Sequence, residues 1–179
     1  ISILRGESAD NGGSGNYDDD DEMYSNVCEF CPEDSTMIAL GTSTGSVQIW
    51  DAAAGVMKDS LSITLPGTEE RVGGVMSMKW STKGDMLCVG TEAGYIAIVS
   101  FDQIQTKFEL INCWCAHAGS VDLVYFGGRS ADVTAYIFSG SSMGNTFRIW
   151  NAHSGMEMLR KVGTALGVHS SVARMLTSI

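Results

Sequence analysis

The sequence holds no uninterrupted apolar run near the roughly 20 residues of a membrane-spanning helix. Glycine and charge break even its most hydrophobic stretch, residues 86–101. Basic residues are scarce, with 11 Lys and Arg against 21 Asp and Glu. They are scattered, and only Arg160 and Lys161 are adjacent. The positive footprint that a nucleic-acid backbone requires is therefore missing, and no direct nucleic-acid partner is expected. Nor does any stretch sustain a 3.6-residue apolar period, so helices should be rare. No signal peptide is visible. With five cysteines, an odd number, reduced and mostly buried thiols in a cytoplasmic or nuclear protein are expected.

What the chain does have is repetition. Gly41-Thr42-Ser43-Thr44-Gly45 leads into Val47-Gln48-Ile49-Trp50, and Gly140-Ser141-Ser142-Met143-Gly144 leads into Thr146-Phe147-Arg148-Ile149-Trp150. Between them Gly90-Thr91-Glu92-Ala93-Gly94 leads into Tyr95-Ile96-Ala97-Ile98-Val99, with Val99 at the aromatic slot. The opening glycines lie 49 and 50 residues apart, the spacing of a four-stranded unit.

Each unit begins with an alternating strand whose apolar and aromatic slots face one side: Cys28 and Phe30, then Met78 and Trp80, then Val124 and Phe126. Turns follow at residues 32–35, 82–85 and 127–130. Second strands are expected at 37–41, 86–90 and 135–139, and third strands at 47–50, 95–99 and 147–150. Fourth strands are expected at 60–65, 108–114 and 156–162. Large apolar residues on both faces require neighbours on both sides, which suits blades packed radially about an axis. An all-β sandwich is the competing architecture, but it does not require glycines and aromatics to recur in phase.

The division expected is an outer strand of a preceding blade at 1–6, a flexible acidic insertion at 7–24, blades at 25–66, 67–117 and 118–164, and the start of a following blade at 165–179. Ile1 and the unfinished last unit suggest a piece of a larger protein. The fold class is thus all-β, a partial propeller of about three and a half four-stranded blades.

At Trp50-Asp51, at Trp150-Asn151 and at Ala116-His117, four residues before Val121, the chain resembles the WD-repeat β-propeller family. The resemblance covers residues 26–179, with 1–6 resembling the outer strand of the preceding blade. It implies a rigid, non-catalytic platform for protein partners, without cofactor, as a subunit of a multiprotein assembly. Such proteins often bind at the face holding the outer-to-inner loops and the second-to-third-strand turns. The family often places Asp six residues before the Trp, bonded to the His and to a strand Ser or Thr. Thr44, Ala93 and Gly144 stand there instead, so a carboxylate-containing network of that kind is not expected. Trp50-Asp51-Ala52, Leu65-Pro66-Gly67, Trp80-Ser81 and Leu87-Cys88-Val89-Gly90-Thr91 also look like blades of mitotic ubiquitin-ligase activators. That narrower likeness implies a peptide- or degron-recognition module that recruits substrates to a regulatory enzyme complex.

Glu7, Asp10, Asp18, Asp19, Asp20, Asp21 and Glu22 form a negative stretch without Lys or Arg. It reads as a solvated insertion or as a docking segment for a basic partner. The two Gly-x-Ser-x-Gly matches fall in strand-to-strand hairpins and not in the strand-to-helix elbow that nucleophilic serine needs. Cys28, Cys31, Cys113, Cys115 and His117 are poorly spaced for zinc. No catalytic, cofactor-binding or metal-binding residue is assigned. Exposed Glu69, Glu70, Arg71 and Arg129 are the candidates for recognition, and Trp50, Trp80 and Trp150 are read as core.

Overall fold

The computed structural model describes residues 23–127 and 136–162. These residues form three four-stranded antiparallel sheets, each in chain order, and no helix. The first blade comprises β1 (Ser25–Phe30), β2 (Met37–Thr42), β3 (Ser46–Asp51) and β4 (Val56–Ser62). The second comprises β5 (Val75–Trp80), β6 (Met86–Thr91), β7 (Tyr95–Asp102) and β8 (Lys107–Cys115). The third comprises β9 (Leu123–Gly127), β10 (Tyr136–Ser141), β11 (Thr146–Asn151) and β12 (Glu157–Val162). Strand β1 lies against β5, and β5 against β9, so the first strands of all three blades are neighbours. This is radial order. A strand puts alternate side chains on opposite faces, and two apolar interfaces result, one on each side of the second blade.

The first interface joins Ala39, Val47 and Ile49 of the first blade to Met78, Trp80, Leu87, Val89 and Val99 of the second, all buried. Trp80 packs edge-on to Phe101, with ring centroids 5.4 Å apart, and stacks on Phe108. Its indole N–H donates to the Glu29 carbonyl at 3.2 Å. The second interface joins Cys88, Ile96 and Ile98 to Val124, Ile137 and Trp150. Trp114 on β8 reaches across it to Trp150, 5.8 Å between centroids.

The registers confirm the three aromatic slots, since Trp50 pairs Ile38, Val99 pairs Leu87 and Trp150 pairs Ile137. Where Val99 replaces Trp, β7 runs on to Asp102, and Phe101 fills the space beside Trp80. The acid or amide after the slot caps the next turn. Asp51 Oδ1 accepts from Ala53 and Ala54 N–H, Asn151 Oδ1 from His153 and Ser154 N–H, and Asp102 Oδ1 from Ile104 and Gln105 N–H.

Three local expectations need correction. Strand β4 begins at Val56, not residue 60, because the turn capped by Asp51 delivers the chain directly into pairing with β3. Cys28 and Phe30 are exposed, Phe30 by 57%, because they face away from the second blade and no described residue covers them. Gly144 does not match Gly45 and Gly94. The third hairpin is one residue longer, and Asn145 (φ 47°) takes the left-handed position held by Gly45 (φ 80°) and Gly94 (φ 89°). Strand 1–6, the acidic segment 7–22, Arg129, His169 and residues 165–179 lie outside the described residues.

Candidate functional site

The outer-to-inner loops, residues 63–74 and 116–122, meet the second-to-third-strand turns at one end of the blades. Each turn is fastened to a loop. Arg71 Nη1 donates to the Thr44 carbonyl at 3.1 Å, and Glu92 N–H donates to the Gly74 carbonyl at 2.8 Å. In the third blade Ser142 N–H donates to Asp122 Oδ2 at 2.7 Å, and the Ser142 hydroxyl donates to the same oxygen. Burial works to raise the Asp122 carboxyl, but hydrogen bonds from Ser142, together with the Ser120 hydroxyl and the nearby His117, hold the group below its ordinary value. Tyr24 joins this end too, its carbonyl accepting from Ser43 N–H at 2.9 Å. The chain that follows the acidic stretch is therefore anchored here.

Glu69, Glu70, Arg71 and Glu92 are exposed on this end. Met143 is 83% exposed at the tip of the third turn, and Met76 is 40% exposed at the start of β5. The sequence pointed to the first three. It missed Met143 because the residue sits inside a glycine-framed turn that resembles a serine motif.

Behind this surface is a buried polar network. His117 Nδ1 lies 2.7 Å from Thr146 Oγ1 and its Nε2 lies 2.7 Å from Ser139 Oγ. Trp150 Nε1–H donates to the same Ser139 oxygen at 2.8 Å. A neutral ring satisfies every group: Nδ1–H donates to Thr146, and Nε2 accepts from Ser139, whose oxygen accepts from Trp150. Burial, aided by the positive charge of Arg148, lowers the His117 pKa from 6.5 to about 4. Thr146 thus does with a hydroxyl what the family pattern assigns to a carboxylate six residues before the Trp. The available signal was a hydroxyl four residues before the tryptophan.

The network is confined to the third blade for a reason visible in the registers. Ser139 pairs Arg148 and Val124, whereas the matching positions are Leu40 in the first blade and Val89 in the second. Trp50 accordingly donates to Gln48 Oε1 at 3.0 Å instead.

The remaining candidates are not brought together for chemistry. Ser43 and Ser142 lie in hairpin turns, and His117 spends both nitrogens on Thr146 and Ser139. Among the described residues, no group of three His, Cys, Asp or Glu side chains could hold a metal ion. Cys31, Cys88 and Cys113 are buried, but Cys28 and Cys115 are exposed, which corrects the expectation for those two. Burial pushes the Cys113 thiol up to about 11 and Cys88 higher still. No described helix is long and apolar enough to cross a membrane.

The family described as the anaphase-promoting complex subunit 4 WD40 domain matches residues 30–127, more than half of the chain. The chain belongs to this WD40 family. None of the curated proteins matches it. Among solved structures, U3-55K is similar over 79% of this chain and 40% of its own, at 15% identity and a TM-score of 0.62. The Cps50 (Swd1) β-propeller domain of Myceliophteria thermophila is similar over 80% of this chain and 45% of its own, at 15% identity and a TM-score of 0.63. A chain of the mitotic checkpoint complex is similar over 80% of this chain and 39% of its own, at 21% identity and a TM-score of 0.58. The WD40 chain described above therefore spans less than half the length of these structures. At such identities the likeness is one of fold.

Proposed function

We propose that this chain is part of a non-catalytic protein-interaction scaffold, a WD40 propeller subunit of a cytoplasmic or nuclear multiprotein assembly. The loop-and-turn end described above is its partner surface. One observation carries the reading: loops and turns from all three blades meet at this end, are held by hydrogen bonds to one another, and present Glu69, Glu70, Arg71, Glu92 and Met143 outward. An apolar anchor with a charged rim on a rigid base is the arrangement by which proteins recognise proteins. The polar groups that could do chemistry, His117 and Asp122, are instead committed to internal bonds.

The acidic run Asp18, Asp19, Asp20, Asp21 and Glu22 enters the fold through Tyr24 at this end, which favours a basic partner there. Residue-level cross-linking of the intact assembly, with and without residues 7–22, tests the reading. Cross-links from Glu69, Glu70 and Glu92 of the loop-and-turn end to a folded subunit support the scaffold, and loss of one such partner on deletion supports acidic docking. Cross-links to short extended peptides would favour a substrate-recruiting module, and an absence of contacts at this end would remove the proposed surface.

A further inference from the structure

The outer part of the third blade carries charge where its sister blades do not. Two residues before the aromatic slot the third strands hold Gln48, Ala97 and Arg148, and the fourth-strand residues paired with them are Ser60, Cys113 and Arg160. Neutral residues therefore fill this pair of positions in the first and second blades. The third blade puts two guanidinium groups there, on the face turned towards the second blade, since Arg148 also pairs Ser139, which bonds to His117. Like charges directly opposite each other on a sheet repel. After burial, Arg148 and Arg160 both act to lower the His117 pKa, which agrees with two cations lying together near that ring. Glu157 Oε2 is 3.0 Å from Arg148 Nη1 and offsets one of them. Arg160 is exposed and has no ion-pair partner among the described residues, so one positive charge is left over here in a chain of net charge −10.

Two hydrogen-bond donors in the same place lack acceptors. Arg148 Nε and Trp114 Nε1 are both buried atoms without a hydrogen-bond partner. Both side chains lie against Trp150: Arg148 Cζ is 5.6 Å from its ring centroid, and the Trp114 centroid is 5.8 Å from it. The indole N–H groups of Trp50, Trp80 and Trp150 are all bonded within the fold. A buried N–H without an acceptor is costly, and native proteins rarely keep one unless something outside the chain completes it. The acceptor that suits a pair of guanidinium groups is a carboxylate, whose two oxygens match the planar fork of Arg.

Apolar surface adjoins the charge. Trp114 is half-buried, and Met158 on β12 and Met156 just before it are exposed. Arg, Met and aromatic side chains are the types enriched where proteins meet, and a free small anion would leave the methionines unused. We propose that the outer rim between β8 and β12 is an interaction surface for an acidic segment of a partner protein, one carboxylate of which joins Arg160 to the unpartnered N–H of Arg148. This surface lies on the outer strands and takes a partner of opposite charge to the one favoured at the loop-and-turn end. Either surface can therefore fail without the other.

The test is an NMR titration of the whole chain with a capped peptide of alternating Glu and Ala, and with its counterpart in which Gln replaces Glu. The side-chain N–H signals of Arg148 and Trp114 should shift to saturation with the Glu peptide and stay in place with the Gln peptide. Trp80 Nε1–H, already bonded to the Glu29 carbonyl, should not move with either. Arg160→Gln should weaken binding roughly tenfold or more, and Arg71→Gln, at the loop-and-turn end, should leave it unchanged. No saturable shift, equal shifts with the two peptides, or equal weakening by the two substitutions would overturn the proposal. Inorganic phosphate that reproduces the shifts at a lower concentration than the peptide would mean a small-anion site and would also overturn it. So would signals that move without peptide, either on dilution or on deletion of residues 7–22, because they would assign the rim to a second copy or to this chain's own acidic stretch.

Discussion

Two rows of side chains occupy the same slots in successive blades and meet different fates. In the second blade Trp80, Leu87, Val99 and Leu110 run across the sheet, and the first three are at least 95% buried beneath the first blade. In the first blade Phe30, Ile38, Trp50 and Met57 form the equivalent row, with Phe30 57% and Met57 46% exposed. The strands, registers and residue types agree. The difference is the neighbour, so burial in this fold is a property of the interface between blades and not of the blade itself.

Truncating one aromatic in each row breaks the comparison most strongly. Trp80→Ala should cost about 3–5 kcal/mol, because a cavity opens between Phe101 and Phe108 and the Glu29 carbonyl loses its donor. Phe30→Ala should cost under about 1 kcal/mol, since most of its ring is already in water. Urea denaturation of the two variants measures the contrast, and equal costs would mean that the two rows are equally covered.

The next largest effect separates the third blade from the first. His117 has a folded pKa of about 4, below its ordinary 6.5, so the unfolded chain binds the extra proton in that window. Stability from this residue is fully present above pH 6.5 and is lost as pH falls through 4, by about 3 kcal/mol in all. The Trp50–Gln48 bond of the first blade holds no group that titrates there. His117→Asn should lower stability at pH 7 and flatten its dependence between pH 6.5 and 4, measured by denaturation across that range. NMR titration of the His117 ring checks the value itself.

The smallest expected effect lies at the inner strands. Lys79 of β5 is 2.8 Å from Glu29 of β1 and lies over the Tyr125 ring of β9 at 5.4 Å, linking all three blades. Both members of the ion pair keep partial contact with solvent. Glu29→Gln should therefore cost under about 1 kcal/mol, and less in high salt.

The phase of the blades was legible because turn glycines, alternating apolar slots and the Trp-Asp dipeptide report the same register. Less legible was β4, whose Val56, Met57 and Lys58 are all exposed and give no alternation to read. The third hairpin misled because Gly144 imitates a turn glycine while Asn145 adopts the left-handed backbone. Thr146 was not legible because the family pattern places a carboxylate at a fixed distance from the Trp, whereas any buried hydroxyl aimed at His117 suffices. The exposure of Phe30 was not readable at all. Alternation assigns a side chain to a face, but only the structure says whether another sheet lies against it.

Thiol alkylation of the native chain, mapped residue by residue by mass spectrometry, tests the radial stacking most directly. Cys28 is exposed on the face of the first blade that no described residue covers, Cys31 and Cys113 lie in the first interface cluster, and Cys88 lies in the second. Stacked blades predict rapid reaction at Cys28 and Cys115, with Cys31, Cys88 and Cys113 reacting only after unfolding. Labelling of Cys88 at a rate near that of Cys28 would contradict the stacking.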